Sequence, residues 1–381
     1  MNKTILEKRK QIDDLDDQIA KIYAERMALV KEIGIEKAKT NAYVLDPSRE
    51  KDILNRVTAG ADGEIKIFTK QVFETLFETS RAYQSKFSHL ASNISVKIRE
   101  TLSRKREAFP DFASVACQGV KGAYSYLAAE KLFKLSDITY FKNFEGVFNA
   151  VESGLCKYGV LPIENSSVGS VNEVYDLMKK YRFYVVRSVK LQVRHCLLAK
   201  KGVRLEDIKE IISHEQALTQ STAFIKTLKD VKITVCDNTA LAAQTVAESG
   251  RDDIAAISSK ECAELYALAV LKSGVQDSDS NFTRFICISK SLDIFKNPHK
   301  ISIMVSLPHE SGSLNKLLSK FTALGLNLTK LESRPLPDTA FEFLFYFDFD
   351  ADIEKEEVLN LLAELDNRSE QFTFLGSYSE V

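Results

Sequence analysis

The sequence predicts a multidomain chain in which three unlike architectures follow one another: an all-α region, a two-lobed α/β region and an α+β sandwich. Three observations predict this. Apolar residues of the first stretch recur at three- and four-residue steps, the period of a long helix with one buried face. From Phe112 to about Lys290 short β-branched runs alternate with helical ones, the rhythm of β/α units. From residue 300 onward the pattern reads β-α-β-β-α-β. A chain of 381 residues is long enough for two to three compact units, each with its own core.

Composition narrows the function classes. Hydrophobic residues make up 45% and charged ones 28%, ordinary for a globular chain. A net charge of -1 argues against a nucleic-acid footprint or a charged membrane surface. Met1 to Lys10 is polar, and no stretch reaches about 18 apolar residues, so neither a signal peptide nor a membrane span is expected. Cys117, Cys156, Cys196, Cys236, Cys262 and Cys287 are scattered, several inside apolar runs, and read as reduced core residues of a cytoplasmic protein. No histidine pair has i, i+4 spacing, and no metal or other cofactor is expected.

In the helical region, expected over residues 1–90, Ile12, Leu15, Ile19, Ile22, Leu29 and Ile33 form one stripe of the first helix. Arg26 stands between Ile22 and Leu29 where another apolar residue belongs, Lys37 follows Ile33 by one turn, and Arg9 precedes Ile12 on the same side. A cation in such a seam costs several kcal/mol unless an anion meets it. The stripe carries no carboxylate, so it is expected to wall a small dry pocket for a multiply anionic ligand. A turn at Asp46-Pro47 leads to a second helix from Ser48 to about Thr58, and a third runs from about Glu64 to His89. On the third, Ser80 and Gln84 intrude along a face marked by Phe73, Leu76, Phe77, Tyr83 and Phe87. Arg49 and Glu50 open the second helix, where charge pairing at a helix end is the plain account of both. Cationic donors, one amide and one carboxylate around a helical core can bind a compact dianion and stabilise charge separation without covalent chemistry. Residues 91–110, with Lys97, Arg99, Arg104, Lys105 and Arg106, read as a solvated linker.

The α/β region, residues 111–290, is expected to hold a largely parallel sheet in two lobes. Its units are Ser114–Gln118 then Tyr124–Phe133, Tyr158–Ile163 then Val171–Lys180, Lys209–Ser213 then Gln216–Leu228, Lys232–Cys236 then Thr239–Glu248, and Ile254–Ser258 then Lys260–Leu268. Polar residues gather where strands end: Gly119 to Ser125, Pro162 to Ser170, Ser213 to Gln216, and Asn238 to Ala240. Helix capping explains some of them, Thr239 and Ser213 included. It does not explain hydroxyls and amides at one end of four successive units, the ligand crevice of an open α/β sheet. In the strand opening at Asn281, alternation puts Thr283 on the face of Phe285 and Arg284 on the other. Ser291–His299 is a boundary, and residues 300–381 form a ferredoxin-like sandwich.

The spacing Arg9, Arg26, Lys37, Asp46, Arg49, Glu50, Ser80, Gln84 resembles the all-helical chorismate mutases that head bifunctional P-proteins. That resemblance implies an intertwined helical dimer and a pericyclic rearrangement of chorismate to prephenate. Arg26 and Arg9, the latter crossing from the partner subunit, would hold the two substrate carboxylates, with Arg49 and Ser80 completing that side. Lys37 and Gln84 would bond the ether oxygen, and Glu50 with the backbone near Asp46 would take the ring hydroxyl. The loops at Gly119, Pro162, Ser213 and Asn281 resemble prephenate dehydratase, a domain similar in outline to periplasmic binding proteins. By that resemblance Thr283 is the candidate acid, Asn165, Ser167 and Gln216 bind or orient prephenate, and Glu164 is structural. Glu215 stands where the family commonly has proline.

Ser311-Gly312-Ser313-Leu314 and Leu331-Glu332-Ser333-Arg334-Pro335 resemble the two phenylalanine-binding motifs of the regulatory ACT domain. Gly312, Ser313, Leu314, Glu332, Ser333, Arg334 and Pro335 are thus the expected effector site, with Ser313 in place of the usual alanine. The whole resemblance implies a homodimer or higher oligomer that makes phenylpyruvate under feedback by phenylalanine. Two alternatives stay open: a dehydratase that prefers arogenate, and an amino-acid sensor whose catalytic domains have lapsed.

Overall fold

The computed structural model describes residues 3–40, 42–87, 90–104, 107–310, 312–335 and 343–381. Four helices come first: α1 (Lys3–Lys39), α2 (Pro47–Ala59), α3 (Lys66–Ser85) and α4 (Asn93–Ser103). Asp46 caps α2, its carboxylate accepting from the Arg49 backbone N–H at 3.1 Å, with Pro47 in the first turn where a missing N–H costs nothing. Ser88 and His89, expected at the end of the third helix, lie outside the described residues.

The buried face of α1 is not the expected one. Val30 and Gly34 are buried, flanked by half-buried Tyr23, Met27 and Ala38, whereas the stripe from Ile12 to Ile33 named above is 49–64% exposed. Both stripes obey the helical period, so spacing alone does not say which one the chain itself covers. The expected solvated linker contains α4, where Ser92 and Ser95 exchange side-chain and backbone bonds (2.8 and 3.2 Å) in a capping box and Ile98 is fully buried. Ile94, Val96 and Ile98 alternate with polar residues as in a strand, and the serine box decides for a helix. Lys105 and Arg106 of the basic run lie outside the described residues.

Next come β1 (Phe112–Gln118), α5 (Tyr124–Leu132), β2 (Leu135–Phe141), α6 (Phe144–Glu152), β3 (Tyr158–Asn165), β4 (Gly169–Ser170), α7 (Asn172–Tyr181) and β5 (Tyr184–Gln192). A second series follows: β6 (Cys196–Ala199), β7 (Glu210–Ser213), α8 (Glu215–Thr219), α9 (Thr222–Ile225), β8 (Lys232–Val235), α10 (Thr239–Glu248), β9 (Ile254–Ser258), α11 (Lys260–Leu265), β10 (Ala269–Ser273) and β11 (Phe282–Ser289). They build two sheets, β2-β1-β3-β11-β5 with β4 beside β3, and β10-β6-β9-β7-β8. Both are mixed rather than largely parallel. Strand β1 is parallel to β2 and β3, but β11 runs antiparallel to β3 and β5; β7 is parallel to β8 and β9, but β6 is antiparallel to β9 and β10. Strand direction is set by distant partners, of which local periodicity holds no record. Val115, Tyr158, Val160 and Phe285 are in the core of the first sheet, and Leu198, Ile212 and Val246 in that of the second. All six cysteines are free, five of them buried.

The last elements are β12 (Lys300–Ser306), α12 (Ser313–Ala323), β13 (Asn327–Pro335), β14 (Phe343–Asp350), α13 (Glu356–Arg368) and β15 (Phe372–Tyr378), with sheet order β13-β14-β12-β15. By contacts the chain forms two units, residues 1–104 with 303–374 and residues 105–302 with 375–381. Within the first, Asn360 of α13 caps the end of α3: its Nδ2 donates to the Ser85 carbonyl at 2.7 Å and its Oδ1 accepts from Leu90 N–H at 2.9 Å. Among the described residues no helix is long and apolar enough to cross a membrane.

Candidate active sites

The first candidate site is built on α1 and α3. Half-buried Arg26 donates from Nη1 to the hydroxyl of Ser80, which donates in turn to the Leu76 carbonyl. One turn beyond Ser80, Gln84 is 8% exposed, and its Oε1 has no hydrogen-bond partner among the described residues. The helices approach closely here because residue 34 is glycine; a Cβ would stand 3.1 Å from Gln84 Cα. Lys37, one turn on from Gly34 and half-buried, donates to the Val44 carbonyl at 2.7 Å. Arg26, Ser80, Gln84 and Lys37 therefore follow the line where α1 meets α3.

The other expected residues stand differently. Arg9 and Arg49 are exposed in the single chain. The carboxylate of Asp46 is engaged by the Arg49 N–H and the Ser48 hydroxyl, which hold its carboxyl below the usual range. Half-buried Glu50 is paired with Arg81, which also pairs with Glu78. Burial pushes the Glu78 carboxyl up, and although burial also opposes charge on Arg81, the two carboxylates hold its guanidinium protonated. Arg81 was not foreseen; its sequence signal is the i, i+3 spacing from Glu78.

The second candidate site is a cleft of about 340 Å³ between the two sheets of the α/β unit. Asn165, Gln216 and Thr283 line it, with Tyr124, His195, His214, Gln220, Asp237 and Phe285. Register explains how Asn165 and Pro162, three residues apart on β3, both reach the cleft. Thr283 lies opposite Asn165 and Arg284 opposite Glu164, but Phe285 lies opposite Pro162, so Ile163 is an extra residue that resets the alternation.

Directional hydrogen bonds then fix the site. The Asn165 Oδ1 accepts from the backbone N–H groups of Ser167 and Val168 at 2.9 and 3.1 Å, which turns its Nδ2 toward Asn281 Oδ1 and Thr283 Oγ1, both at 2.8 Å. The Asn281 Nδ2 donates to Gln220 Oε1 at 2.9 Å, and that oxygen lies 3.1 Å from His195 Nε2. Burial pushes the His195 pKa down, so a neutral ring with its proton on Nε2 fits an accepting amide oxygen. Since Thr283 Oγ1 accepts from Asn165, its own O–H is directed elsewhere.

Ser167 is exposed and serves through its backbone, Glu164 pairs on the opposite face from Thr283, and exposed Glu215 does not line the cleft. His195, Gln220 and Asn281 went unassigned. Gln220 follows Gln216 by one turn, a signal that was available; His195 is a lone histidine at the mouth of an apolar strand, which spacing rules do not reach.

Of the expected effector residues, Gly312 is the N-cap of α12 with φ 86°, a left-handed conformation natural to glycine, and half-buried Ser313 and Leu314 begin the helix. Ser311 lies outside the described residues. Glu332, Ser333, Arg334 and Pro335 close β13, an edge strand of its sheet, with Glu332 and Arg334 half-buried.

Comparison with known proteins gives matches in both regions. The type II chorismate mutase family matches residues 8–85 and the prephenate dehydratase family residues 115–292. The chain is 30% identical over 382 residues to the bifunctional chorismate mutase/prephenate dehydratase of Escherichia coli (strain K12), covering 98% of this chain and 96% of that protein. It is 40% identical over 280 residues to arogenate dehydratase 2 of Petunia hybrida, covering 69% of this chain and 71% of that protein. A prephenate dehydratase from Arthrobacter aurescens, solved in complex with L-Phe, superposes with a TM-score of 0.64 at 27% identity, over 70% of this chain and 89% of that one.

Proposed function

The chain belongs to the family of bifunctional chorismate mutase/prephenate dehydratases, and from that premise we propose how its side chains carry the two reactions. It is an enzyme of phenylalanine biosynthesis that rearranges chorismate to prephenate, then removes water and carbon dioxide to give phenylpyruvate.

In the rearrangement an ether C–O bond breaks as a C–C bond forms, and negative charge grows on the ether oxygen. Lys37 and the Gln84 Nε2 meet that charge as donors, the preorganised stabilisation that replaces acid, base or nucleophile. Arg26 takes one substrate carboxylate with Ser80, which it already touches, and the exposed Arg49 is assigned to the same carboxylate by the family resemblance alone. Glu50 accepts from the ring hydroxyl, and Arg81 holds it in place. The exposed stripe of α1 supports a homodimer: pairing it with a second copy would cover Ile12 to Ile33 and bring Arg9 of the partner subunit to the other carboxylate.

The observation that carries the dehydratase half is the Asn165–Thr283 bond in the cleft. Electrons released as the ring C–CO₂⁻ bond breaks move through the diene and expel the ring hydroxyl as hydroxide. The O–H of Thr283, polarised by the Asn165 donor, hydrogen-bonds that leaving oxygen. Aromatisation supplies the drive, so a weak acid serves. Gln216 orients the substrate, and Ser167 acts through its backbone hold on Asn165.

We assign residues 1–90, 111–290 and 300–381 to mutase, dehydratase and ACT domains, and place the protein in the cytoplasm. Phenylalanine binds at Gly312–Leu314 and Glu332–Pro335, where the edge strand β13 leaves room for a partner; the phenylalanine-bound relative supports this. One observation favours the arogenate reading: Asp237 lines the cleft wall, where no lysine or arginine stands among the described residues, and a substrate ammonium would suit it.

One experiment tests the scheme: chorismate loss and phenylpyruvate gain followed in one purified sample, with prephenate and arogenate also supplied directly. Thr283→Ala should abolish phenylpyruvate formation and leave prephenate formation intact. Loss of both would mean damage to the fold, and loss of neither would remove Thr283 from the mechanism.

A further inference from the structure

The strand carrying Thr283 has a second face. While Thr283 and Phe285 line the cleft, Arg284 points to the back, with its side chain only 5% exposed. Its Nη2 donates to Tyr378 Oη at 2.7 Å, and its Nε stands 2.8 Å from Glu380 Oε2. The Glu380 carboxylate also meets Lys190 Nζ at 2.9 Å and Ser188 Oγ at 3.1 Å, while Tyr378 Oη lies 2.7 Å from Ser302 Oγ.

Backbone bonds seat the segment itself. Ser188 N–H donates to Ser379 O at 3.1 Å, Val381 N–H to Ser188 O at 2.9 Å and Lys190 N–H to Val381 O at 3.2 Å, so residues 379–381 extend the sheet beside β5. The carboxyl of Glu380 is held below the usual range: burial works against this, and Lys190 and Arg284 outweigh it.

We propose that Tyr378 and Glu380 are positioning residues of the dehydratase. By holding the Arg284 guanidinium against the back of β11 they fix Thr283 opposite Asn165 on the front. Without Glu380 the buried guanidinium loses the close carboxylate at Nε and keeps the longer pairing of its Nη1 with Glu164 Oε1 at 3.7 Å, so it must shift toward Glu164 or admit water. Neighbouring residues of a strand are rigidly linked through the pleat, so movement at Arg284 displaces Thr283. The site is sensitive to this because the extra residue Ile163 sets the register only one pair away.

The test uses the full chain with Glu380→Ala, Glu380→Gln and Tyr378→Phe. Dehydratase kcat should fall about tenfold or more in Glu380→Ala, with KM for prephenate changed less than about twofold. Glu380→Gln, which keeps an acceptor for Arg284, should recover part of the loss, and Tyr378→Phe should show a smaller fall. Mutase turnover in the same samples should match the parent. Wild-type kcat in both Glu380→Ala and Tyr378→Phe would overturn the proposal, as would a loss shared equally by the mutase. The inference rests on Thr283 as the reacting hydroxyl. Thr283→Ala inactive beside fully active Glu380→Ala refutes the positioning role alone, and both active refutes the Thr283 assignment.

Discussion

Replacing Gly34 by alanine sets two effects of opposite sign against each other. In a helix interior alanine is favoured over glycine by about 1 kcal/mol. The new Cβ, however, would stand 3.1 Å from Gln84 Cα, 3.2 Å from Gln84 Cγ and 3.3 Å from Phe87 Cδ2. Carbon atoms prefer about 3.5–4.0 Å, so α1 and α3 must separate by roughly half an ångström. Overpacking of this kind costs about 1–3 kcal/mol, which cancels or exceeds the helical gain and leaves a net loss of about 0–2 kcal/mol. Activity is the sharper readout, because the backbone that yields carries Gln84. A displacement of about 1 Å costs on the order of a hundredfold, so half of that should lower mutase kcat about tenfold. Chorismate disappearance measures this, with prephenate turnover in the same sample as the control. A Gly34→Ala chain with raised Tm and parental mutase kcat would refute the argument.

Arg81→Ala leaves Glu50 and the buried Glu78 without their shared cation, and should lower stability by about 1–3 kcal/mol and raise the KM for chorismate; thermal melts and steady-state kinetics that match the parent would count against the pairing. Asn165→Ala removes the donor that orients Thr283 and should reduce dehydratase kcat about a hundredfold, the usual loss for a transition-state donor; a change below threefold would show that Thr283 needs no orienting. Gly312→Val forces a branched residue into φ 86° and should abolish phenylalanine binding by calorimetry with both activities retained, whereas unchanged binding would move the effector elsewhere. Because the Glu380 carboxyl is held below its usual value, its interactions stabilise the fold above the ordinary glutamate range and are lost as pH falls through the depressed value. The gap in Tm between the parent and Glu380→Gln should therefore narrow on acidification, and a gap constant with pH would contradict it.

Local chemistry was legible in the sequence. The Asp46-Pro47 start of α2, the polar ends of the β/α units and the opposite faces of Thr283 and Arg284 follow from capping, turn and alternation rules that act over a few residues. What escaped depends on distant or competing partners. The two stripes of α1 share one period, and Gly34 shows its purpose only once Gln84 is seen against it. The antiparallel course of β11 is set by β3, more than a hundred residues earlier. The additional residue at Ile163 cannot be read from β3 alone, since a bulge is a property of two strands. The helix α4 was hidden because Ile94, Val96 and Ile98 mimic a strand while two serines decide the matter.

The polypeptide enters the sandwich in β12 and leaves it in β15, and the contact boundary falls inside both strands, at 302/303 and 374/375. A recombination event that exchanged everything after residue 300 would thus carry away Glu380 along with the sandwich. Grafting a foreign sandwich onto this enzyme should keep the dehydratase fully active only where the splice restores an acidic residue behind Arg284.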